Sequence, residues 1–219
     1  MKHFDATPDL PEDLFHGELT PWGKYVTPIL STGDTMLDAG CGEGRVCQDL
    51  HSRYPNASYI GLDIVRYEKW KRLQEISDKI RFICCDMDDM DRHVALGSIG
   101  VIYSRNSLMY PPDKLRILMK MYRLLKISGL VYISMPLLRD FNIANMYFEP
   151  PLDVLLRDFF RGSFEILPLP KSCVSYNVLI IRKLDELPVN PEMNQYTCLP
   201  RSLPGQYFGW KSVYTYTRS

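Results

Sequence analysis

A glycine-rich segment between two predicted secondary-structure elements carries the clearest chemistry in this sequence. Gly40, Gly42 and Gly44 follow the apolar run Thr35–Ala39 and precede a stretch that is typical of a helix, Arg45–Ser52. Glycine lets the backbone turn sharply and lets a ligand approach without a Cβ in the way. The first turn of the following helix offers unpaired N–H groups to a negatively charged group. The pattern therefore predicts a ligand cradle at the tip of the first strand.

An acidic residue, Asp63, ends the second predicted strand and lies 23 residues after Gly40. That separation is close to the ~20 residues expected between such a glycine turn and a carboxylate that binds ribose hydroxyls. The dinucleotide fingerprint is Gly-x-Gly-x-x-Gly, whereas this chain has Gly-x-Gly-x-Gly, with Asp38 two residues before the first glycine. The spacing indicates a ligand that contains ribose and disfavours a nicotinamide dinucleotide.

The elements around the glycine segment alternate between strand and helix patterns. Short apolar runs are separated by amphipathic stretches, of which Asp113–Lys126 is the clearest, with Gly129 as its predicted terminator. This rhythm predicts βαβ units, and hence an α/β fold with a parallel sheet covered on both faces. The runs Phe164–Leu169 and Ser175–Lys183 lack a helix between them, which predicts an antiparallel pair at a sheet edge. The predicted parallel strands are Thr35–Ala39, Ser58–Leu62, Ile80–Cys84, Ile99–Ser104 and Leu130–Met135.

Three segments are predicted along the chain. Residues 1–30 form an N-terminal arm or lid that includes a short helix near Trp22–Leu30. Residues 31–184 form the ligand-binding domain, with a further helix over Leu152–Phe160. Residues 185–219, which are rich in aromatic side chains, form a tail packed on that domain.

The composition excludes several classes of protein. The 219 residues carry 26 Lys and Arg against 26 Asp and Glu, so the net charge of zero gives no general attraction to nucleic acid or to an anionic membrane. No run of apolar residues is long enough to span a membrane, and the first residues do not resemble a secretory signal. The six cysteines lack zinc-ligand spacing, so no metal site is expected. A cytoplasmic location is expected, and a nuclear one stays open.

Five segments in order resemble the motifs of class I S-adenosylmethionine-dependent methyltransferases. The leading acid and the three glycines of 38–44 resemble the first motif of that family. The resemblance covers about residues 30–183 and implies a Rossmann-like, doubly wound sheet of seven strands, mostly parallel with an antiparallel edge strand. It also implies S-adenosyl-L-methionine as the cofactor. The other matching segments are Tyr59–Ile64, Ile80–Met87, Val101–Leu108 and Tyr122–Gly129.

The resemblance implies a set of cofactor-binding residues. Asp38 suits the ammonium of the methionyl part, Asp63 the ribose diol and Asp86 the adenine amino group. Ile64 and Met87 would pack on the adenine faces. The complete implied set is Asp38, Gly40, Cys41, Gly42, Asp63, Ile64, Asp86, Met87, Ser104 and Arg105.

The methyl acceptor is expected outside the carboxyl ends of the strands, where ligands of open α/β sheets bind. By this rule Asn106, Ser107 and Tyr110 face the acceptor. Trp22 and Tyr25 either form a lid over it or pack between the arm and the sheet. The sequence singles out no catalytic base, and a carboxylate, thiolate or neutral amine acceptor does not need one.

The leading hypothesis is a methyltransferase that acts on a small molecule, with no membrane partner. RNA or protein is an alternative acceptor, because the basic and aromatic residues of Arg201–Ser219 are of the kind that stack on single-stranded nucleic acid. A regulatory subunit that binds the cofactor without turnover is a third hypothesis. The aromatic residues of Pro136–Phe160 are a second candidate for substrate selectivity. The acceptor atom, the pathway, the oligomeric state and the role of the tail are not predicted.

Overall fold

The computed structural model describes residues 20–108, 110–111, 113–134, 148–149, 154, 156–157, 163–168, 178–186, 196–202 and 212–218. Most of the predicted helix Leu152–Phe160 and of the segment Pro136–Phe160 lies outside the described residues, as do residues 1–19. The strands are β1 Thr35–Ala39, β2 Ser58–Asp63, β3 Ile80–Cys84, β4 Ile99–Arg105, β5 Leu125–Ser134, β6 Phe148–Glu149, β7 Phe164–Ile166, β8 Val178–Lys183, β9 Tyr196–Ser202 and β10 Ser212–Arg218. The helices are α1 Pro21–Tyr25, α2 Thr27–Ser31, α3 Arg45–Arg53, α4 Lys69–Ile76 and α5 Lys114–Leu124, with a 3-10 helix over Met87–Arg92.

Seven strands form one sheet in the order β3-β2-β1-β4-β5-β8-β7. The first five strands of the chain pair in parallel, whereas β8 runs antiparallel to β5 and β7 runs antiparallel to β8. The predicted α/β fold, with a mostly parallel sheet and an antiparallel edge, is confirmed. Because β1 and β4 are adjacent while β2 lies on the other side of β1, the strand order reverses beside β1. Ligands of such sheets bind at that reversal, outside the carboxyl ends of the strands.

Two apolar clusters cover the two faces of this sheet. Successive residues of a strand point to opposite faces, and so Met36 and Leu37 belong to different clusters. Leu37 packs in the cluster that contains Leu118 and Tyr122 of α5. Met36 packs in the cluster that contains side chains of α1, α2, α3 and α4. The central strands β1 and β4 are buried on both faces, which explains their nearly continuous apolar sequences.

The predicted helix near Trp22–Leu30 is divided into α1 and α2. Thr20 caps α1 through its hydroxyl oxygen, which accepts from the backbone N–H of Gly23 at 2.9 Å. Pro28 stands in the first turn of α2. Because proline lacks an N–H and restricts the residue before it, the chain starts a new helix there instead of continuing the first.

The predicted role of Gly129 as a helix terminator is wrong. Helix α5 ends at Leu124, and Gly129 lies inside β5. A Cβ on Gly129 would lie 2.9 Å from the carbonyl oxygen of Lys126 and 3.0 Å from those of Ile99 and Gly100. A local bend of β5 and the close approach of β4 therefore both require glycine at this position.

A second sheet joins two distant segments of the chain. Strands β9 and β10 form an antiparallel pair, and β6 pairs in parallel with β10, which gives the order β6-β10-β9. The segment between β5 and β7 and the segment after β8 therefore share backbone hydrogen bonds. The division into arm, domain and tail, and the packing of residues 185–219 on the domain, stay predictions.

Candidate functional site

The chain turns sharply between β1 and α3. Gly40, Gly42 and Gly44 have φ angles of +86°, +52° and +82°, in the left-handed region that favours glycine. The backbone N–H groups of Gly40 and Cys41 donate to the carbonyl oxygen of Leu62 at 2.7 and 3.0 Å. The turn is therefore fixed to the carboxyl end of β2.

The three glycines differ in what surrounds them. A Cβ on Gly40 would lie 2.2 Å from the Cβ of Ser107, and a Cβ on Gly44 would lie 2.4 Å from the Phe82 ring. Around Gly42, by contrast, a Cβ would meet nothing within 4 Å. The packing of the protein itself requires glycine at Gly40 and Gly44, whereas Gly42 borders open space in which a ligand fits.

Asp63 follows this opening at the end of β2. One carboxylate oxygen accepts from the N–H of Gly42 at 2.9 Å, and the other accepts from the N–H of Val65 at 3.0 Å. These two bonds fix the carboxylate against the glycine turn. Each oxygen keeps further lone pairs, so a half-exposed Asp63 can also accept from two ligand hydroxyls.

Asp38 is a buried carboxyl group at the same edge, only 2% exposed. Burial, and then the charge of Asp63, raise the pKa of Asp38 to about 7. The thiol of Cys47 lies 4.0 Å from one of its oxygens. Burial and the neighbouring Asp38 also raise the pKa of that thiol, so it is no source of charge compensation. Because the negative charges of Asp38 and Asp63 repel each other, binding of a cation near both carboxylates is favourable.

An apolar and acidic surface lies next to Asp63. Ile64 is 68% exposed, which is unusual for a large apolar side chain at the end of a core strand. Asp86 is exposed and caps the 3-10 helix, because one of its oxygens accepts from the N–H of Asp88 at 2.9 Å. The methyl carbon of Met87 lies 3.3 Å from the position of a Cβ on Gly40. Residues predicted to hold an adenine therefore lie at the edge that bears the glycine turn.

The loop after β4 is held against the glycine turn by two buried serines. Ser107 donates through its hydroxyl to the carbonyl oxygen of Ala39, and Ser104 donates to the Ser107 hydroxyl at 2.7 Å. Between them, Arg105 is half-buried and Asn106 adopts a φ of +54°. The left-handed conformation at Asn106 bends the chain so that both serines reach the same point.

Trp22 and Tyr25, predicted on the acceptor side, lie in the apolar cluster. Trp22 is 1% exposed and packs edge-on against Tyr103 and Tyr132, with ring centroids 5.3 Å apart in each case. The hydroxyl of Tyr25 donates to the carbonyl oxygen of Pro168 at 2.6 Å. These contacts agree with the alternative in which the two side chains pack between the arm and the sheet.

Tyr110 lies on the surface of the loop after β4. Its side chain is 76% exposed, and its N–H donates to the carbonyl oxygen of Ser107 at 3.1 Å. It therefore shares a loop with the half-buried Asn106, at the carboxyl edge of the sheet. Of the five residues predicted on the acceptor side, these two have the positions that a ligand above the sheet could contact. The prediction for Ser107 disagrees with the structure, because its side chain is buried and donates to the carbonyl oxygen of Ala39.

Sequence analysis missed Trp70. Its indole Nε1 donates to the carbonyl oxygen of Gly42 at 2.8 Å. Its ring stacks on Phe82, with centroids 5.0 Å apart and planes 9° apart. In the sequence, Trp70 stands out only as a tryptophan within a mostly polar helix. No known motif spacing links a residue at that position to the glycine turn.

Within the described part of the chain, no group of three His, Cys, Asp or Glu side chains could hold a metal ion. No helix in the described ranges has both the length and the apolar character that crossing a membrane requires.

A family model described as a methyltransferase domain matches residues 30–152. This range is more than half of the chain, and it includes the glycine turn, Asp63, the 3-10 helix and the loop after β4.

Curated relatives with detectable sequence similarity are named methyltransferases. The trans-aconitate 2-methyltransferase of Deinococcus radiodurans is 28% identical over 105 residues, 48% of this chain and 39% of that enzyme. The enzyme of the same name from Azoarcus sp. is 24% identical over 150 residues, 68% of this chain and 57% of the enzyme. The tRNA (guanine-N(7)-)-methyltransferase of Porphyromonas gingivalis is 32% identical over 72 residues, 31% of this chain and 30% of the enzyme. Each match spans less than two thirds of the relative's length.

Solved structures share the fold at low sequence identity. The 1,6-didemethyltoxoflavin-N1-methyltransferase of Burkholderia thailandensis, with bound 1,6-didemethyltoxoflavin and S-adenosylhomocysteine, superimposes with a TM-score of 0.50 at 18% identity, covering 74% of this chain and 77% of its own. A Galdieria sulphuraria protein, provisionally assigned as a sarcosine dimethylglycine methyltransferase, superimposes with a TM-score of 0.54 at 15% identity, covering 74% and 82%.

Proposed function

The chain belongs to the class I S-adenosylmethionine-dependent methyltransferase superfamily, and from that premise we propose that it transfers a methyl group from S-adenosyl-L-methionine to a small-molecule acceptor. The observation that carries the proposal is the open side of Gly42, next to the carboxylate of Asp63 and the exposed Ile64. A backbone opening, a hydrogen-bond acceptor and an apolar platform occur together where α/β sheets bind nucleosides.

The acids at this edge suit the charges and hydroxyls of the cofactor. When bound, the cofactor supplies an electrophilic methyl group on a positively charged sulfur. Asp38 holds the ammonium group of the methionyl part, and the repulsion between Asp38 and Asp63 is relieved by that positive charge. Asp63 accepts from the two ribose hydroxyls in a charge-assisted, bidentate arrangement.

The remaining cofactor-binding residues hold the adenine and the backbone of the ligand. Asp86 accepts from the adenine amino group through the oxygen that does not cap the 3-10 helix. Ile64 and Met87 pack on the two faces of the ring. Gly40, Cys41 and Gly42 present the backbone of the turn to the methionyl part.

The protein's own contribution to the transfer is to position the two reactants and to exclude water from them. Ser104 and Arg105 close the reactive side of the cofactor, and the hydrogen bonds of Ser104 fix that segment to the glycine turn. Asn106 and Tyr110 contact the acceptor. Trp22 supports β4 and β5 by packing against Tyr103 and Tyr132. Tyr25 is held beside them by its hydrogen bond to Pro168. We assign no catalytic base.

A small molecule is the preferred acceptor because two of the curated relatives are named for trans-aconitate, and because a net charge of zero gives no general attraction to nucleic acid. The relative named for tRNA favours RNA as the second candidate acceptor. The activity of the whole protein is proposed on these grounds, since the matches span only part of each relative.

Calorimetry with S-adenosylmethionine, S-adenosylhomocysteine and NAD tests the cofactor. We expect micromolar binding of the first two ligands and none of NAD. Binding of NAD without binding of the other two would contradict the proposed function.

An assay with labelled methyl groups tests the acceptor. The enzyme is incubated with labelled S-adenosylmethionine and, separately, with a metabolite extract, total RNA or a protein extract. We expect label in a small molecule. Label in RNA would favour the second candidate, and cofactor binding with no transfer to any fraction would indicate a regulatory subunit.

A further inference from the structure

We propose that Trp70 is a positioning residue, which fixes the peptide between Gly42 and Glu43 so that its N–H faces the methionyl part of the ligand. The inference rests on the proposed function, since it concerns the same ligand. It goes beyond that function because Trp70 lies on α4, outside every segment that the glycine motif marks.

Hydrogen bonds on both sides pin the backbone of Gly42, and the weak donor Cys41 Sγ also lies 3.6 Å from its carbonyl oxygen. Its N–H, which belongs to the peptide with Cys41, donates to Asp63 at 2.9 Å. Its carbonyl oxygen, which belongs to the peptide with Glu43, accepts from Nε1 of Trp70 at 2.8 Å. Both torsions of Gly42 are thereby fixed, although glycine is the residue with the most backbone freedom.

The bond from Trp70 determines where the next amide points. In a trans peptide the C=O and N–H groups point in opposite directions. Because the carbonyl oxygen of Gly42 points to Trp70, the N–H of Glu43 points away from α4. A Cβ on Gly42 would meet nothing within 4 Å, so this turn has room for a ligand beside it. An N–H held in this direction is a donor for the carboxylate of the methionyl part.

Trp70 is itself held in place, as a positioning residue must be. Its ring is 5% exposed and stacks on Phe82, and the ring of Tyr67 lies 5.8 Å from it. The neighbouring Lys69 lies 3.8 Å from the carboxylate of Glu43, which is a second link from α4 to the glycine turn. Helix α4 therefore supports the turn on the side away from the opening.

The test compares two ligands that differ in the methionyl part. S-adenosylhomocysteine carries the amino-acid group, and methylthioadenosine lacks it. In Trp70→Phe an aromatic ring is kept beside Phe82 and the indole donor is lost. Only the weak thiol donor of Cys41 then holds the Gly42 carbonyl oxygen, so the Gly42–Glu43 peptide can rotate while the bond to Asp63 stays. We expect the dissociation constant of S-adenosylhomocysteine to rise about fivefold or more, and that of methylthioadenosine to change less than about twofold.

Tyr59→Phe is the matched control. The hydroxyl of Tyr59 donates to the carbonyl oxygens of Leu50 and Tyr54 at 2.9 and 3.0 Å, so this variant also loses a buried donor to the backbone. Tyr59 lies at the amino end of β2, away from the glycine turn. We expect unchanged affinity for both ligands, with a fall in the melting temperature similar to that of Trp70→Phe.

If Trp70→Phe does not fold, benzothienylalanine at position 70 replaces the N–H with sulfur and keeps the size of the indole. Equal affinity of wild type and variant for S-adenosylhomocysteine would overturn the inference and leave the proposed function intact. Equal losses for both ligands would also overturn it, because they indicate a structural role. Failure of the wild-type protein to bind S-adenosylhomocysteine would overturn the proposed function as well.

Discussion

Two acids at the carboxyl edge of the seven-stranded sheet, Asp38 and Asp63, contrast with the ion pairs at its amino edge. At the amino edge, Asp34 pairs with Lys126 at 2.6 Å, and the buried Lys183 pairs with Glu186 at 3.0 Å. At the carboxyl edge, Asp38 and Asp63 have no salt-bridge partner among the residues described. Asp63 is held by two backbone N–H groups, and its charge raises the pKa of Asp38.

Under the proposed function, the difference separates charges that serve the fold from two acids that bind the ligand. Lys183 also donates to the carbonyl oxygen of Leu125 at 2.8 Å, so this buried ammonium group is satisfied within the amino edge. The carboxyl edge keeps two acids close together at a cost to the folded state. A cation bound near both carboxylates would offset the repulsion between them. Substitutions at the carboxyl edge should therefore change ligand affinity, and those at the amino edge should change only stability.

Asp63→Ala is expected to have the largest effect. It removes the acceptor for both ribose hydroxyls, and hydrogen bonds to charged groups contribute about 1.5–3 kcal/mol each, so affinity for S-adenosylhomocysteine should fall about 100-fold or more. Calorimetry measures the change. Asp34→Ala at the amino edge is the control, and an equal loss of affinity in that variant would contradict the comparison.

Gly42→Ala and Gly44→Ala should separate binding from folding within the carboxyl edge. The Cβ of alanine at Gly42 enters open space, so we expect about tenfold weaker ligand binding and a stability loss of about 1–2 kcal/mol from its positive φ. The Cβ at Gly44 would overlap the Phe82 ring, so that variant should lose more stability. Calorimetry and thermal unfolding measure the two quantities. A larger stability loss at Gly42 would be inconsistent with an open site.

The affinity of the carboxyl edge should depend on pH through Asp38. Its folded pKa of about 7 lies above the ordinary aspartate value, so its contribution to the stability of the ligand-free protein is full at acidic pH and is lost as the pH rises through about 7. An ammonium group binds the ionised form. The affinity for S-adenosylhomocysteine should therefore fall by about fivefold from pH 7 to pH 6.

Asp38→Asn provides the control for that dependence. It should bind more weakly and lose this pH dependence between pH 6 and 8. It should also be more stable than the wild type at pH 8 without ligand, because no charge is then buried. Calorimetry and unfolding at several pH values measure both effects, and a persistent pH dependence would assign it to another group.

Lys126→Ala should have the smallest effect. The ion pair with Asp34 is half-exposed, and such pairs contribute about 0–1 kcal/mol to the free energy of unfolding. Affinity for S-adenosylhomocysteine should not change. Denaturant unfolding and calorimetry test the two statements, and a measurable loss of affinity would remove the distinction between the edges.

The parallel sheet could be predicted from the sequence because its strands are short apolar runs bounded by turn residues. The runs Thr35–Ala39 and Ile80–Cys84 coincide with β1 and β3. The position of the glycine turn follows from local requirements, since positive φ angles at three closely spaced positions demand glycine. These features are encoded within a few residues of each other.

Features that depend on distant contacts could not be predicted. Trp70 meets Gly42 only after β2 and α4 have folded back beside the turn, and no spacing rule expresses that contact. Gly129 was misinterpreted because part of the reason for glycine lies on β4, about 30 residues earlier in the chain, beside the local contact with Lys126. The burial of Trp22 likewise depends on rings from β4 and β5. The roles of the site residues stay predictions until ligand binding is measured.

The pairing of β6 with β10 constrains the order in which the chain can fold during synthesis. All strands of the larger sheet precede β9 and β10, so that sheet can be completed while the ribosome is still adding the last segments. Strand β6 leaves the ribosome early, but its neighbour β10 is made more than 60 residues later. A released chain truncated before residue 212 would therefore retain every strand of the larger sheet, with β6 and β9 lacking the strand that joins them.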